Sequence, residues 1–372
     1  MGTDLITLFL CGDVMTGRGI DQILPHPGDP VLHEGYIKDA RKYVELAEKV
    51  NGPIPRQVDP DYIWGIALEE LEKATPDFKI INLETSVTTS GDYWKGKEVH
   101  YRMHPENIDV MTSARIDLCT LANNHVLDWG YAGLKETLDT LQKAGIRSAG
   151  AGMSLTEAAS PAILEIEGKG RVVVFSFGST TSGVPLEWAA SGKRPGVNLL
   201  KSFSEEEVKR IHKEVQAVKR KGDIIVVSIH WGGNWGYHIP RNEINFAHRL
   251  IDAAGVDLIH GHSSHHVKRF EVYQEKLILY GCSDFLNDYE GIGGFDDYRA
   301  DLGLMYFPSV DPSGGKLVRL QMIPIRVKYL RVNRAIREDA IWLTDLLNRE
   351  GKKFGTRIKL NEDNVLILIL DE

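Results

Sequence analysis

The sequence contains no apolar run long enough to cross a bilayer. Its longest, such as "IIVVSI" at 224–229, have the length of a strand, far below the ~20 residues a spanning helix needs. Cysteine is scarce. Cys11, Cys119 and Cys282 are an odd number and each lies in or beside a strand-like apolar run, so they read as buried reduced thiols and not as a disulfide framework. Positive charge is in deficit: the formal net charge is −8, which argues against a general nucleic-acid or anionic-membrane binder, since either needs a basic face. Only "MGTD" precedes the first apolar run, so no secretory signal or membrane anchor is expected and the cytoplasm is the expected compartment. An internal repeat and a convincing linker are also missing.

What is there is a soluble globular composition, with 42% apolar and 26% charged residues over 372 positions, enough for one large domain or two ordinary ones. Strand-like runs occur at 5–12, 78–84, 117–123, 171–178, 223–231, 256–261 and 276–282. Their Val, Ile, Leu and Phe content without strict alternation suggests strands covered on both faces. Amphipathic helices fall between them. One opens with Ser204 and Glu207 in capping-box spacing, repeats apolar residues at Val208, Ile211, Val215 and Val218, and stops at Gly222. Another carries Leu134, Leu138 and Leu141 on one face and ends at Gly145. This alternation predicts an α/β fold with helices outside the sheets. Residues 25–61, rich in Pro, Gly and charge, read as a long surface excursion, and 285–301 as a glycine-rich acidic loop. From about 302 the pattern turns to strands, one helix at 338–350 and a last strand "VLILIL". The expected organisation is a main domain over 1–320 with a C-terminal extension, 321–372, packed on it.

Polar residues collect where the apolar runs end. The first run delivers Asp13 and Arg18, the second Asn82 and Glu84, the third Asn123, Asn124 and His125. "VVSIHWGGNWG" delivers His230, and "DLIHGHSSHH" delivers His260, His262, His265 and His266. In open α/β sheets the C-terminal strand ends line the ligand crevice. Two carboxylates, an amide oxygen and several imidazoles make a mixed nitrogen and oxygen donor set suited to a divalent ion: Mn, Zn or Fe, with Mg as a further option. Each residue also has a plain structural reading, as a turn former, a helix cap or a satisfied strand-end histidine. The recurrence at five matching topological positions favours the metal.

The ordered motifs "GDVMTGR", "NLETSVT", "LANNHVLDWG", "IHWGGNWG" and "GHSSHH" resemble those of the CapA family of poly-γ-glutamate capsule biosynthesis proteins. That family is similar to the calcineurin-like metallophosphoesterases, and the resemblance implies their two-sheet sandwich flanked by helices. It spans about 5 to 290. Carried over residue by residue, it implies metal ligands at Asp13, Glu84, Asn124, His230, His262 and His265, with Glu84 in the bridging place. It also implies His125 as general acid or base, with Asp128 either orienting it or capping the next helix. One or two ions are expected. Two positions depart from the phosphoesterase pattern: Met15 and Ser264 stand where histidines are usual, so one site should be weaker or differently coordinated.

Arg18 and Arg102 are candidate clamps for an anionic substrate, Arg102 because alternation puts it on one face with His100 and His104 in "KGKEVHYRMHPEN". Asp284, Asn287, Asp288 and Glu290 could reach the site from the acidic loop, though turn chemistry accounts for most of them. Trp231, Trp235 and Tyr237 could wall the site or belong to the core. The resemblance implies a metal-dependent hydrolase or transferase acting on a γ-glutamyl, peptidic or phosphorylated anionic substrate in capsule biosynthesis. The alternatives are a metal-dependent peptide epimerase and a non-catalytic assembly subunit.

Overall fold

The apolar runs assemble into two β-sheets stacked face to face, in a computed structural model that describes residues 5–370. The residues "MGTD" therefore lie outside the described part. The first sheet runs from edge to edge as Arg357–Leu360, Leu366–Ile369, Lys316–Val327, Leu302–Asp311, Ile6–Val14, Phe78–Leu83, Leu118–Thr120 and Arg147–Ala149. Its half from Ile6–Val14 onward is parallel, and the C-terminal half is antiparallel. The second sheet runs Leu199–Leu200, Gly170–Ser179, Asp223–His230, Leu258–His262, Lys276–Leu279 and Phe270–Tyr273. It is parallel except at that last strand and at Ala162–Ile166, which pairs antiparallel with Gly170–Ser179.

Strand alternation explains the layers, because successive side chains point to opposite faces. Ile6, Leu8 and Leu10 share a core with Val172, Val174, Ile224, Val226 and Leu258 between the sheets. Phe9, Cys11, Ile81 and Cys119 turn outward instead, onto Leu71 of the helix Ile66–Ala74 and Leu134 and Leu141 of the helix Gly130–Lys143. On the far side Val173, Ile225, Val227 and Ile259 meet Val208, Ile211 and Val215 of the helix Glu205–Val218 and Phe246 and Leu250 of Arg241–Asp252. The result is the expected sandwich with helices on both outer faces.

One irregularity positions the site. Leu10 lies opposite Ile80, but Asp13 lies opposite Asn82, so three steps on the first strand match two on its neighbour. This β-bulge inverts the alternation. It turns Asp13 away from the helix face that Phe9 and Cys11 occupy and toward the space between the sheets. Gly12 sits in the bulge, where a Cβ would lie 1.7 Å from the backbone oxygen of Ser283. Only glycine fits that approach.

One organisational expectation changes. The segment 25–61 is not a surface excursion throughout. It contains the helix Arg41–Asn51, whose Tyr43, Val44 and Ala47 are buried, and Glu34 is buried completely. Its apolar stripe was masked in the sequence by the flanking prolines and glycines. The strand Lys316–Val327 runs through position 320, with Leu320 and Met322 in the inter-sheet core, so the C-terminal segment shares the main core. All three cysteines are buried and free. Among the described residues no helix is long and apolar enough to cross a membrane.

Candidate active site

The parallel strands of both sheets end on the same edge of the sandwich, and their terminal polar side chains converge there. His230 continues the inward face of Ile224, Val226 and Ser228, and His262 that of Leu258. With Asp13 they bring ligand atoms within 4.8 Å of one another. Asp13 Oδ1 lies 3.8 Å from His230 Nδ1 and 3.6 Å from His262 Nδ1, and the two Nδ1 atoms are 2.8 Å apart. His230 Nε2 is 2.9 Å from Asn124 Oδ1 and 3.5 Å from Glu84 Oε1. A second grouping, Asp13, Glu84 and Asp284, satisfies the same 4.8 Å spacing.

These positions are held by a second layer of contacts. Asn82 Nδ2 donates to Asp13 Oδ1 at 2.6 Å and the Ser263 backbone N–H to Oδ2 at 3.0 Å. Ser228 Oγ lies 2.8 Å from His262 Nε2. His260 is not part of the cluster: its Nε2 donates to the Cys11 carbonyl at 2.7 Å, which ties the two sheets together.

The electrostatics follow from burial and crowding. Burial pushes the Asp13 carboxyl up to about 7, and Asp284 adds to the rise. Burial, then Asp13 and Asp284, raises Glu84 well above the usual carboxylate range. Burial lowers His230 and His262 far below the usual imidazole range, so both are neutral and offer lone pairs. Buried carboxylates that raise one another beside neutral imidazoles make a site short of positive charge.

Beside this cluster stands His125. Its Nδ1 is 2.6 Å from Asp128 Oδ2, and its ring stacks on Tyr101 at 3.8 Å between centroids. Asp128 orients His125 and does not cap the following helix, whose first residue is preceded by Trp129 with no side-chain cap. Asp128 also accepts from the Tyr101 backbone N–H at 2.7 Å and from the Lys97 ammonium. Lys97 Nζ approaches His125 Nδ1 to 3.0 Å. His125 Nε2 faces Glu84 Oε1 at 4.0 Å. A cavity of about 840 Å³ opens over Glu84, Asn124, His125, Lys97, Tyr101 and His265. Asp13, His230 and His262 lie buried behind its lining. Trp235 lines the cavity, whereas Trp231 belongs to the outer core.

Several sequence expectations are redirected. Arg102 does not line this cavity. Its guanidinium donates to the carbonyls of Ser90 and Asp29 at 2.7 and 2.8 Å and lies 3.9 Å over the Trp129 ring, so the strand alternation that grouped it with His100 pointed it into a separate small cleft. Arg18 reaches the cavity wall, but its fork is engaged by Asp288, Glu34 and the Tyr43 hydroxyl. His265 falls in neither donor grouping; its Nδ1 lies 3.0 Å from Asp284 Oδ1. Met15 Sδ accepts from the Gly17 N–H, and Ser264 Oγ donates to the His266 carbonyl. Two residues now stand closer to the centre than the sequence suggested. Lys97 had only its place in a charged loop to mark it. Asp284 had only its place beside the acidic loop to mark it.

A family model described as bacterial capsule synthesis protein PGA_cap matches residues 7–289. The chain belongs to this family. It is 48% identical over 367 residues to a Mycobacterium tuberculosis protein named "Probable polyglutamine synthesis accessory protein", covering 98% of this chain and 96% of that one. It is 28% identical over 287 residues to the PGA biosynthesis protein CapA of Bacillus subtilis, covering 77% of this chain and 64% of that relative. To the capsule biosynthesis protein CapA of Bacillus anthracis it is 24% identical over 284 residues, 76% of this chain and 60% of the relative. This chain therefore spans under two thirds of each Bacillus protein. Every residue of the cluster lies inside the matched region.

Proposed function

We propose that this PGA_cap family member is a metal-dependent hydrolase or transferase with a calcineurin-like site, acting on an anionic γ-glutamyl or phosphorylated substrate during polyglutamate-type polymer synthesis. The observation that carries this is the convergence, under one cavity, of Asp13, Glu84, Asn124, His230 and His262 beside an Asp128-oriented His125. The donor set fits a divalent cation. Asp13 pairs only with His230 and His262 among the described ion pairs, and the nearby ammonium of Lys97 is held by Asp128. Asp13, His230, His262 and Asn124 would hold the ion, with Glu84 at its edge. Such an ion, when bound, polarises a carbonyl or phosphoryl oxygen as a Lewis acid.

The chain's own residues supply the rest. Asp128 fixes the His125 ring and leaves Nε2 facing the cavity, where it moves a proton to or from the reacting group. The names of the relatives support polymer synthesis as the setting, and the cavity of about 840 Å³ has the size of a small-molecule site.

The test uses the metal-replete protein with two probes, γ-glutamyl p-nitroanilide and bis(p-nitrophenyl) phosphate. Turnover of either is expected. His125→Gln keeps a polar side chain of similar reach and should lower turnover by ~10²–10⁴-fold with metal content intact, whereas His230→Ala should lose metal and turnover together. A folded, metal-replete and fully active His125→Gln protein would remove His125 from the chemistry.

A further inference from the structure

One wall of the cavity is the glycine-rich acidic loop, and this loop is tied down at its ends. At the first end Glu290 accepts from the backbone N–H groups of Tyr329 and Leu330 at 2.8 and 2.6 Å. Gly291 then packs so closely on the helix Arg41–Asn51 that a Cβ would lie 2.8 Å from the Leu46 carbonyl oxygen. At the second end Arg299 forks onto Asp301 at 3.0 and 3.2 Å and reaches Asp339 at 2.6 Å. Between these anchors residues 292–297 are exposed throughout. Among the described residues no hydrogen bond or ion pair joins them to any part of the chain outside 289–299; their backbone bonds, such as Ile292 N–H to the Tyr289 carbonyl, are local.

One aromatic contact holds the middle of the loop. Phe295 stacks on Trp235 with ring centroids 3.9 Å apart and planes 2° from parallel, yet Phe295 is 45% exposed. Trp235 is the fixed half of this pair. Its ring centroid lies 5.4 Å from that of His265 and 6.1 Å from that of His266, and the carbonyl of the preceding Asn234 accepts from the His265 N–H at 3.0 Å. Both stacked rings line the cavity, so the stack joins two of its walls. Gly293 and Gly294, next to Phe295, have open space where a Cβ would stand, which leaves the backbone free there. We infer that residues 292–297 are a lid over the cavity, latched shut by the Phe295–Trp235 stack and opening about its anchored ends at Gly291 and Arg299.

The energetics favour local opening. A segment with few buried contacts and no ladder of hydrogen bonds belongs to the low-stability end of a protein, where opening does not require unfolding. An aromatic pair biases an equilibrium by about two- to tenfold, so the closed state predominates and the open state stays populated. Lids of this kind sequester a site from water and gate its ligands. The lid follows the end of the family match at 289, so none of the matched motifs carries it. It concerns entry to the cavity and does not depend on the chemistry proposed above.

Full-length protein with Asp297→Cys is labelled with a nitroxide. Cys11, Cys119 and Cys282 are buried and position 297 is exposed, so one site takes the label. Its spectrum should contain a major slow and a minor fast component. Phe295→Ala should raise the fast-to-slow ratio by about two- to tenfold, and Phe295→Tyr, which keeps the ring, should not. A second readout follows access. Ser263 lines the cavity and is 2% exposed, so Ser263→Cys sets a near-isosteric thiol on the cavity wall. Its reaction with a methanethiosulfonate reagent, in protein stripped by chelation, should accelerate by the same factor when Phe295→Ala is added. A label spectrum unchanged by Phe295→Ala would overturn the latch. A more mobile label with an unchanged thiol rate would overturn the lid as a gate. The label readout involves exposed positions alone, so it stands even where Ser263→Cys fails to fold.

Discussion

Arg18 carries a full charge inside the protein, and its partners explain how. Its Nη1 lies 2.9 Å from Glu34 Oε1 and 2.8 Å from the Tyr43 hydroxyl, and its Nε and Nη2 fork onto Asp288 at 3.2 and 2.5 Å. These carboxylates and the guanidinium are all nearly inaccessible, so removing one member strands the others. Arg18→Ala should cost about 3–5 kcal/mol, the usual penalty for breaking a buried pair, measured as a shift in denaturant midpoint. Arg18→Lys should recover only part of it, because a point charge does not reproduce the fork. An Arg18→Ala protein as stable as the wild type would show that the pairing contributes nothing. The partners also show why this role was hidden in the sequence. Glu34 and Asp288 are 16 and 270 positions away, and no local pattern links them. Asp13, Glu84, Asn124, His230 and His262 were legible because each ends an apolar run, and strand ends of a parallel sheet share one edge. Lys97 and Asp284 reach that edge through a loop and a three-residue strand, where neither length nor periodicity gives a signal.

At the scale of the element, the bulge in Ile6–Val14 decides whether there is a site at all. Simple alternation from Phe9 and Cys11 would aim Asp13 at the helices. The extra residue between Leu10 and Asp13 reverses it. Gly12→Ala would press a methyl group into the Ser283 carbonyl, a backbone atom that cannot rotate aside. Overpacking of this kind costs about 1–3 kcal/mol, and relief by straightening the strand would turn Asp13 away from His230 and His262. The expected outcome is a lower melting temperature together with weaker binding of divalent metal. Retention of wild-type metal affinity in Gly12→Ala would show that Asp13 is held by something other than the bulge. The bulge is not readable in "LFLCGDVM" as such, although a glycine inside a strand is a recognised hint of one. The helices were more legible. Ser204 Oγ accepts from the Glu207 N–H at 3.4 Å, as its spacing anticipated, and the helix runs Glu205–Val218. The helix Arg41–Asn51 escaped notice because it lies between proline-rich and glycine-rich turns.

For the whole molecule, the long central strands could be picked out from the sequence, but the short strands and the pairing partners could not. Apolar runs reveal that a strand is buried on both faces and leave open which sheet it joins. The C-terminal strand Leu302–Asp311 pairs back onto Ile6–Val14, some 300 positions away, and Lys316–Val327 pairs onto Leu302–Asp311 in turn, so that the two extend the sheet that presents Asp13. The same long-range pairing sets Asp284 beside Asp13. Bound metal is the direct readout of whether this assembled edge is the metal centre proposed for it. Protein purified without chelator should carry between one and two divalent ions per chain by elemental analysis. Stripping them should lower the melting temperature and adding them back should restore it, since a ligand bound only to the native state stabilises that state. A metal-free protein whose melting temperature responds to no divalent ion would contradict the account.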